Sequence, residues 1–172
     1  SGVIQQTLER FNISEPYFYY IGGFDVRKNL PTLLRSFGRV RRRSNQAIKL
    51  VIGGKRPVAP SAFFPALEPI ILDEGLAGDI IFVGRVSNQE NAALYSGASA
   101  FVWTSTYEGF GLPPLEAMAC GVPVITSNST ACKEITKDAA ILVDSNSTEE
   151  IKIAMQLLMN DKTLHDSLSK KS

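Results

Sequence analysis

Histidine is almost missing from this sequence: the 172 residues include one, His165, on a polar C-terminal segment that reads as a surface helix. A Ser–His catalytic pair or a histidine-based metal site inside the chain is thereby disfavoured, and no metal is expected. Cysteine is scarce as well. Cys120 and Cys132 form no C-x-x-C pair and stand at no metal spacing from the histidine, so they read as reduced, partly buried thiols. Neither sign of charge dominates. A formal net charge of +1 argues against nucleic-acid binding and against electrostatic capture by a membrane. No apolar run approaches the roughly 20 residues that span a bilayer. The first residues show no basic, apolar, small-residue signal pattern. These absences predict a cytoplasmic protein, with the inner face of the membrane as the alternative address.

What is present suits a folded domain. Hydrophobic residues make up 44% and charged residues 20%, which is a globular rather than a disordered composition. Short apolar runs alternate with helical patterns. Strands are predicted at Tyr17–Ile21, Ile48–Ile52, Asp79–Val83, Ala100–Trp103, Val122–Thr126 and Ala140–Val143. Between them, Asn29 is placed to cap a helix with Pro31 in its first turn, and Leu33, Leu34, Phe37 and Val40 give that helix one apolar face. A helical stretch is expected near Ala62–Glu74. Ser87–Glu90 and Ser147–Glu150 are capping boxes that open two more helices, the second running through Met159. A last short helix is expected over Asp161–Ser169. Arg41, Arg42 and Arg43 close the first of these helices, where cations complement the dipole; contact with anionic lipid is the weaker alternative.

Strands and helices in alternation, with continuous apolar strands, indicate an α/β fold: a parallel sheet covered by helices on both faces. No linker divides the chain. Such sheets bind ligands beyond the carboxyl ends of their strands. The loops to inspect are therefore Gly22–Asn29, Gly53–Ser61, Gly84–Ser87, Thr104–Pro114 and Thr126–Lys133.

The stretch YEGFGLPPLEAMACGVPVITS, from Tyr107 to Ser127, carries two acids around a glycine-proline turn. Gly109 and Gly111 let the backbone turn and let a ligand approach. Pro113 and Pro114 cannot donate, which leaves the amides of Phe110, Gly111, Leu112 and Leu115 at a helix mouth suited to a phosphate. Glu108 precedes the turn and Glu116 follows it, with seven residues between them. Ionised carboxylates only accept hydrogen bonds, so each recognises hydroxyl groups. A sugar nucleotide has hydroxyls at both ends and a diphosphate between. The plainer account is that Glu116 favours a helix start and Glu108 is an exposed loop acid; spacing alone leaves both open. G-F-G-L-P-P is not the G-x-G-x-x-G fingerprint, because Pro114 occupies the third glycine position, and a nicotinamide dehydrogenase is disfavoured. Gly53-Gly54-Lys55 lacks the spacing and the Ser/Thr of a Walker motif.

In GGFDVRKNL, Gly22–Leu30, Arg27 and Lys28 are either a solvated basic pair or phosphate ligands across the sheet edge. Lys28 opposite an amide-lined anion site would stabilise a diphosphate leaving group. Backbone groups of Arg85 and Val86 are placed to read the edge of a nucleobase.

Taken in order, YIGGFDVRKNL, FVGRV with LYSGA, and EGFGLPPLEAMACGVPVI resemble the blocks of the family 4 retaining glycosyltransferases, the last of them their E-x7-E signature. The resemblance runs from about Tyr17 to about Met159. It implies one half of a GT-B fold, with residues 1–172 as the C-terminal, Rossmann-like domain that binds the nucleotide sugar. The acceptor would belong to an N-terminal domain outside this sequence, and this chain alone would bind nucleotide weakly and transfer no sugar. By the same resemblance Glu108 contacts the donor sugar, Glu116 the ribose hydroxyls, and Lys28 the diphosphate, while the amides of Phe110, Gly111 and Leu112 cradle sugar and phosphate. The family often carries an arginine just after the first-strand glycine. Here that site reads Gly23 or Phe24, and Arg27 is the nearest arginine. The resemblance also implies transfer of a hexose, such as mannose or glucose, with retained configuration and no cofactor. Two other functions share the architecture: a non-hydrolysing sugar-nucleotide epimerase, and a non-catalytic nucleotide-sugar-binding module.

Overall fold

The computed structural model describes residues 2–107 and 111–171. The elements follow in the order α1 (Gly2–Arg10), β1 (Tyr17–Ile21), a 3-10 turn (Val26–Lys28), α2 (Leu30–Arg43), β2 (Lys49–Gly53) and α3 (Glu68–Asp73). Then come β3 (Ile80–Gly84), α4 (Asn88–Gly97), β4 (Ala100–Trp103), α5 (Leu112–Ala119) and β5 (Val124–Ser127). The chain ends with α6 (Thr130–Thr136), β6 (Ala140–Val143), α7 (Thr148–Asn160) and α8 (Lys162–Lys171). The strands form one six-stranded sheet in the order β3-β2-β1-β4-β5-β6, and every neighbouring pair is parallel.

The α/β reading holds, and its physical cause is visible in the strands. Tyr17, Phe18, Tyr19 and Tyr20 are all buried, because β1 sits inside the sheet with helices on both sides. Phe18 meets Phe37 of α2 on one face, with ring centroids 6.4 Å apart. Tyr19 meets Tyr95 of α4 on the other, at 5.3 Å. Helices α2, α3 and α7 pack together on the first face; α1, α4, α5 and α6 line the second. The chain lays down β1, β2 and β3 outward in one direction, then returns through α4 to place β4 on the other side of β1. The β1 exit therefore leads to one face and the β4 exit to the other. This topological switch point opens a crevice beyond the carboxyl ends of β1 and β4. Among the described residues no helix is long and apolar enough to cross a membrane.

Several local expectations are corrected. Residues Gly2–Arg10 form a helix, packed against α4, that no sequence signal marked. The helix expected over Ala62–Glu74 begins only at Glu68. Pro65 lacks a donor and biases its predecessor away from helical backbone, so residues 62–67 stay irregular and the Phe63 carbonyl accepts from Val26 N instead. The loop expected over Thr126–Lys133 contains the end of β5 and most of α6, anchored by buried Cys132. Asn29 does occupy the cap position of α2, but with left-handed backbone and no capping bond. Its Nδ2 donates to the Ser145 carbonyl at 2.6 Å, tying the β1 exit to the β6–α7 loop. The Ser87 capping box is complete. The Ser147 one is half formed: Ser147 Oγ accepts from Glu150 N, while the Glu150 carboxylate accepts from Asp144 N. Arg41 and Arg42 do more than oppose a dipole, since they pair with Asp79 and Glu74.

Two expected outcomes follow from this packing. Asp79 receives Arg41 Nε at 2.9 Å and Lys49 Nζ at 3.1 Å. Partial burial opposes ionisation of its carboxyl, but those hydrogen bonds and charges outweigh it and hold the pKa below the usual range. The unfolded chain then binds the extra proton, so this stabilisation is complete above the ordinary carboxylate pKa, about 4, and is lost as pH falls through the lowered value. Asp79→Asn should flatten the acid side of a melting-temperature profile while changing m in urea little. Gly54 has φ of +119°, and a Cβ there would lie 2.1 Å from the Gly22 carbonyl oxygen. Gly54→Ala should cost about 2 kcal/mol or more in urea unfolding, whereas Gly78→Ala, with open space around it, should be close to neutral.

Candidate functional site

Beyond β1, the side chain of Asp25 caps the 3-10 turn, accepting from Arg27 N at 3.3 Å and Arg27 Nε at 2.7 Å. The Arg27 hydrogen bond holds the Asp25 carboxyl below its usual range, against a small burial effect. Arg27 is thus an exposed cation with a carboxylate partner, and Lys28, next to it, is half-buried. Gly23 lies beside the Lys28 stem: a Cβ there would stand 3.7 Å from Lys28 Cε and Cγ.

The turn is locked from β4. The Arg27 carbonyl accepts from Thr106 N at 2.8 Å and Thr106 Oγ1 at 3.1 Å, and it shares the Ser105 hydroxyl, at 3.2 Å, with the Tyr107 carbonyl at 3.1 Å. The Lys28 carbonyl accepts from Thr104 Oγ1 at 3.1 Å. These three hydroxyl residues follow β4 directly and went unnoticed in the sequence. The available signal was a Thr-Ser-Thr run at a strand exit, which has no partner until the topology puts β1 beside β4. Under Lys28 lies Trp103, with the ammonium 4.9 Å from the ring centroid.

Across the crevice, Gly111 precedes α5 with φ of +75°. A Cβ there would come within 2.7 Å of Ile135 Cδ1, so glycine is required both for the backbone and for the approach of α6. Leu112, Pro113 and Pro114 form the first turn of α5; the prolines carry no N–H, so the amide at this helix mouth is that of Leu112. The candidate acid Glu108 and the candidate amide of Phe110 lie outside the described residues.

Glu116 is exposed, one turn into α5, and accepts from the Tyr95 hydroxyl at 3.2 Å. Burial, and then the Glu116 charge, push the Tyr95 pKa upward, so this phenol stays a donor. The carboxylate keeps acceptor capacity for other hydroxyls. It borders an open groove of about 250 Å³ between α4 and α5, together with Asn88, Asn91, Tyr95 and Cys120. Tyr19 fixes Asn91 by donating to its Oδ1 at 2.9 Å. Arg85 is exposed, and Val86 packs partly against the core. Ser87 then caps α4, so the β3 exit leads straight into the wall of the Glu116 groove. Lys28, Arg27 and Gly23 thus gather at the β1 exit, and Gly111, Leu112 and Glu116 at the mouth of α5. Arg85 and Val86 stand at a third strand exit, separated from Lys28 by the width of β2. Among the described residues, no group of three His, Cys, Asp or Glu side chains could hold a metal ion.

Known proteins share this fold. Residues 5–172 match the family model described as glycosyl transferases group 1. The O-antigen chain mannosyltransferase B of Escherichia coli is 33% identical over 156 residues, covering 90% of this chain and 40% of that protein. The O-antigen chain mannosyltransferase RfbU of Salmonella typhimurium is 30% identical over 156 residues, covering 91% of this chain and 41% of that protein. Among solved structures, sucrose-phosphate synthase from Thermosynechococcus elongatus superposes with a TM-score of 0.83 at 28% identity, covering 97% of this chain and 42% of that one. Anabaena HepE in complex with UDP and glucose reaches 0.86 at 17% identity, over 99% of this chain and 46% of that one, a likeness of fold alone. The chain spans about two fifths of the length of these two mannosyltransferases and about one fifth of the longer mannosyltransferase WbdA of Escherichia coli. With a match over nearly its whole length, and with the switch-point crevice described above, this chain belongs to the group 1 glycosyl transferases.

Proposed function

We propose that this chain is the C-terminal, donor-binding domain of a GT-B hexosyltransferase, and that its crevice takes a nucleoside-diphosphate sugar. The observation that carries the reading is the Lys28 turn: a cation bolted by four hydrogen bonds to the β4 exit, opposite the α5 mouth. Lys28 binds the diphosphate and supplies positive charge as it departs, a role that needs neither metal nor cofactor. The amides of Phe110, Gly111 and Leu112 cradle the phosphate and the sugar, and Glu108 contacts the sugar. Glu116 accepts from the ribose hydroxyls at its groove, and the backbone of Arg85 and Val86 faces the base. Gly23 leaves room beside Lys28, and Arg27, already paired with Asp25, contributes at longer range.

Mannose is the favoured hexose, because the relatives named above are mannosyltransferases; one more, from Mycobacterium tuberculosis and 29% identical, is named as GDP-mannose-dependent. The acceptor then binds an N-terminal domain of the same polypeptide, and the configuration of the sugar is retained. Family membership does not favour the epimerase.

Calorimetry with GDP, UDP and ADP tests the reading. One diphosphate should bind and raise the melting temperature; failure of all three would end it. Lys28→Met should weaken that nucleotide about tenfold or more. Arg27→Ala should cost less, within about threefold, because Asp25 already offsets its charge. Glu116→Gln should weaken nucleoside and nucleoside diphosphate alike, since ribose is common to both. Given GDP-mannose, the chain alone should transfer no sugar, and robust transfer would overturn the division between donor and acceptor domains.

A further inference from the structure

Trp103 is the only tryptophan in the sequence. It closes β4 and is 2% exposed. Its indole N–H finds no acceptor among the described residues. Buried tryptophans ordinarily pair that group, and leaving it unpaired offsets part of the gain from packing. Phenylalanine would fill much of the same space with no donor to satisfy. What the indole adds over a phenyl ring is the stronger cation-binding face.

The surroundings hold that face in one place. Tyr20 stacks on the ring with centroids 5.4 Å apart and planes 17° apart, and Phe101 follows at 6.0 Å and 21°. Gly22 completes the fit, for a Cβ there would stand 2.9 Å from ring atoms Cη2 and Cζ3. Lys28 Nζ then rests 4.9 Å from the ring centroid. A ring face at that distance restrains the end of the long lysine stem.

We propose that Trp103 is a positioning residue for the diphosphate: its indole face sets the Lys28 ammonium at the switch point and does not itself touch the donor. This rests on the reading of Lys28 as the diphosphate cation.

The single tryptophan makes the test direct. Intrinsic fluorescence is followed while GDP, UDP, guanosine and uridine are titrated in, with calorimetry in parallel. The diphosphate that binds should change the emission, its nucleoside should not, and Lys28→Met should abolish the response. Bound diphosphate with unchanged emission, or an undiminished response in Lys28→Met, overturns the proposal. In a double-mutant cycle, Trp103→Leu should weaken diphosphate binding about threefold to tenfold, Trp103→Phe less, and nucleoside binding should be unmoved. In the Lys28→Met background neither change should add a further loss. A loss shared equally by nucleoside, or one that persists without Lys28, assigns Trp103 to packing alone. If Lys28→Met weakens the diphosphate and Trp103→Leu does not, only the role of Trp103 falls. If Lys28→Met changes nothing, the reading of Lys28 falls and takes this one with it. Should Trp103→Leu fail to fold, the fluorescence comparison of the native chain with Lys28→Met still decides.

Discussion

The Arg27 carbonyl, holding three donors from the β4 exit, is the contact on which the crevice depends. Strands β1 and β4 are neighbours in the sheet, yet their exits lead to helices on opposite faces. Nothing in the sheet itself would keep two diverging loops together. Thr104, Ser105 and Thr106 do so by satisfying the last two carbonyls of the 3-10 turn. Three donors share the lone pairs of one oxygen, so their sum is smaller than three separate bonds of about 1 kcal/mol each. The gain is geometric: two backbone oxygens are fixed, and the Lys28 side chain leaves the turn in one direction. Asn29 adds a second tether, to Ser145, from the opposite side.

Charge in the crevice is arranged so that neighbouring cations differ. Arg27 faces Asp25 and lends its charge to the turn. Lys28 lies on an aromatic face. At the other wall, Glu116 accepts from a phenol that burial keeps protonated, which orients the carboxylate without cancelling it.

Helix and strand placement shows where sequence patterns carry weight. The helix α2 was readable because Leu33, Leu34, Phe37 and Val40 repeat at helical spacing over about two turns, and all four are buried. Helices α1 and α6 were not, with nine and seven residues and one short apolar face each. Over such lengths a helical period is not distinguishable from chance, and tertiary packing decides. Pro65 is the residue that keeps the helix expected over Ala62–Glu74 from starting before Glu68.

From sequence alone came the parallel α/β sheet, the strand exits that matter, and the candidates Lys28, Gly111 and Glu116, because buried strands and glycine-proline turns impose their patterns locally. Tertiary structure decided what those candidates touch. That Trp103 underlies Lys28 and that Tyr95 meets Glu116 depend on strand order and on which helix covers which face. No local pattern encodes these contacts: Lys28 follows β1 and Trp103 ends β4, neighbouring strands far apart in the chain, and only the reversal of strand order between β1 and β4 brings them together.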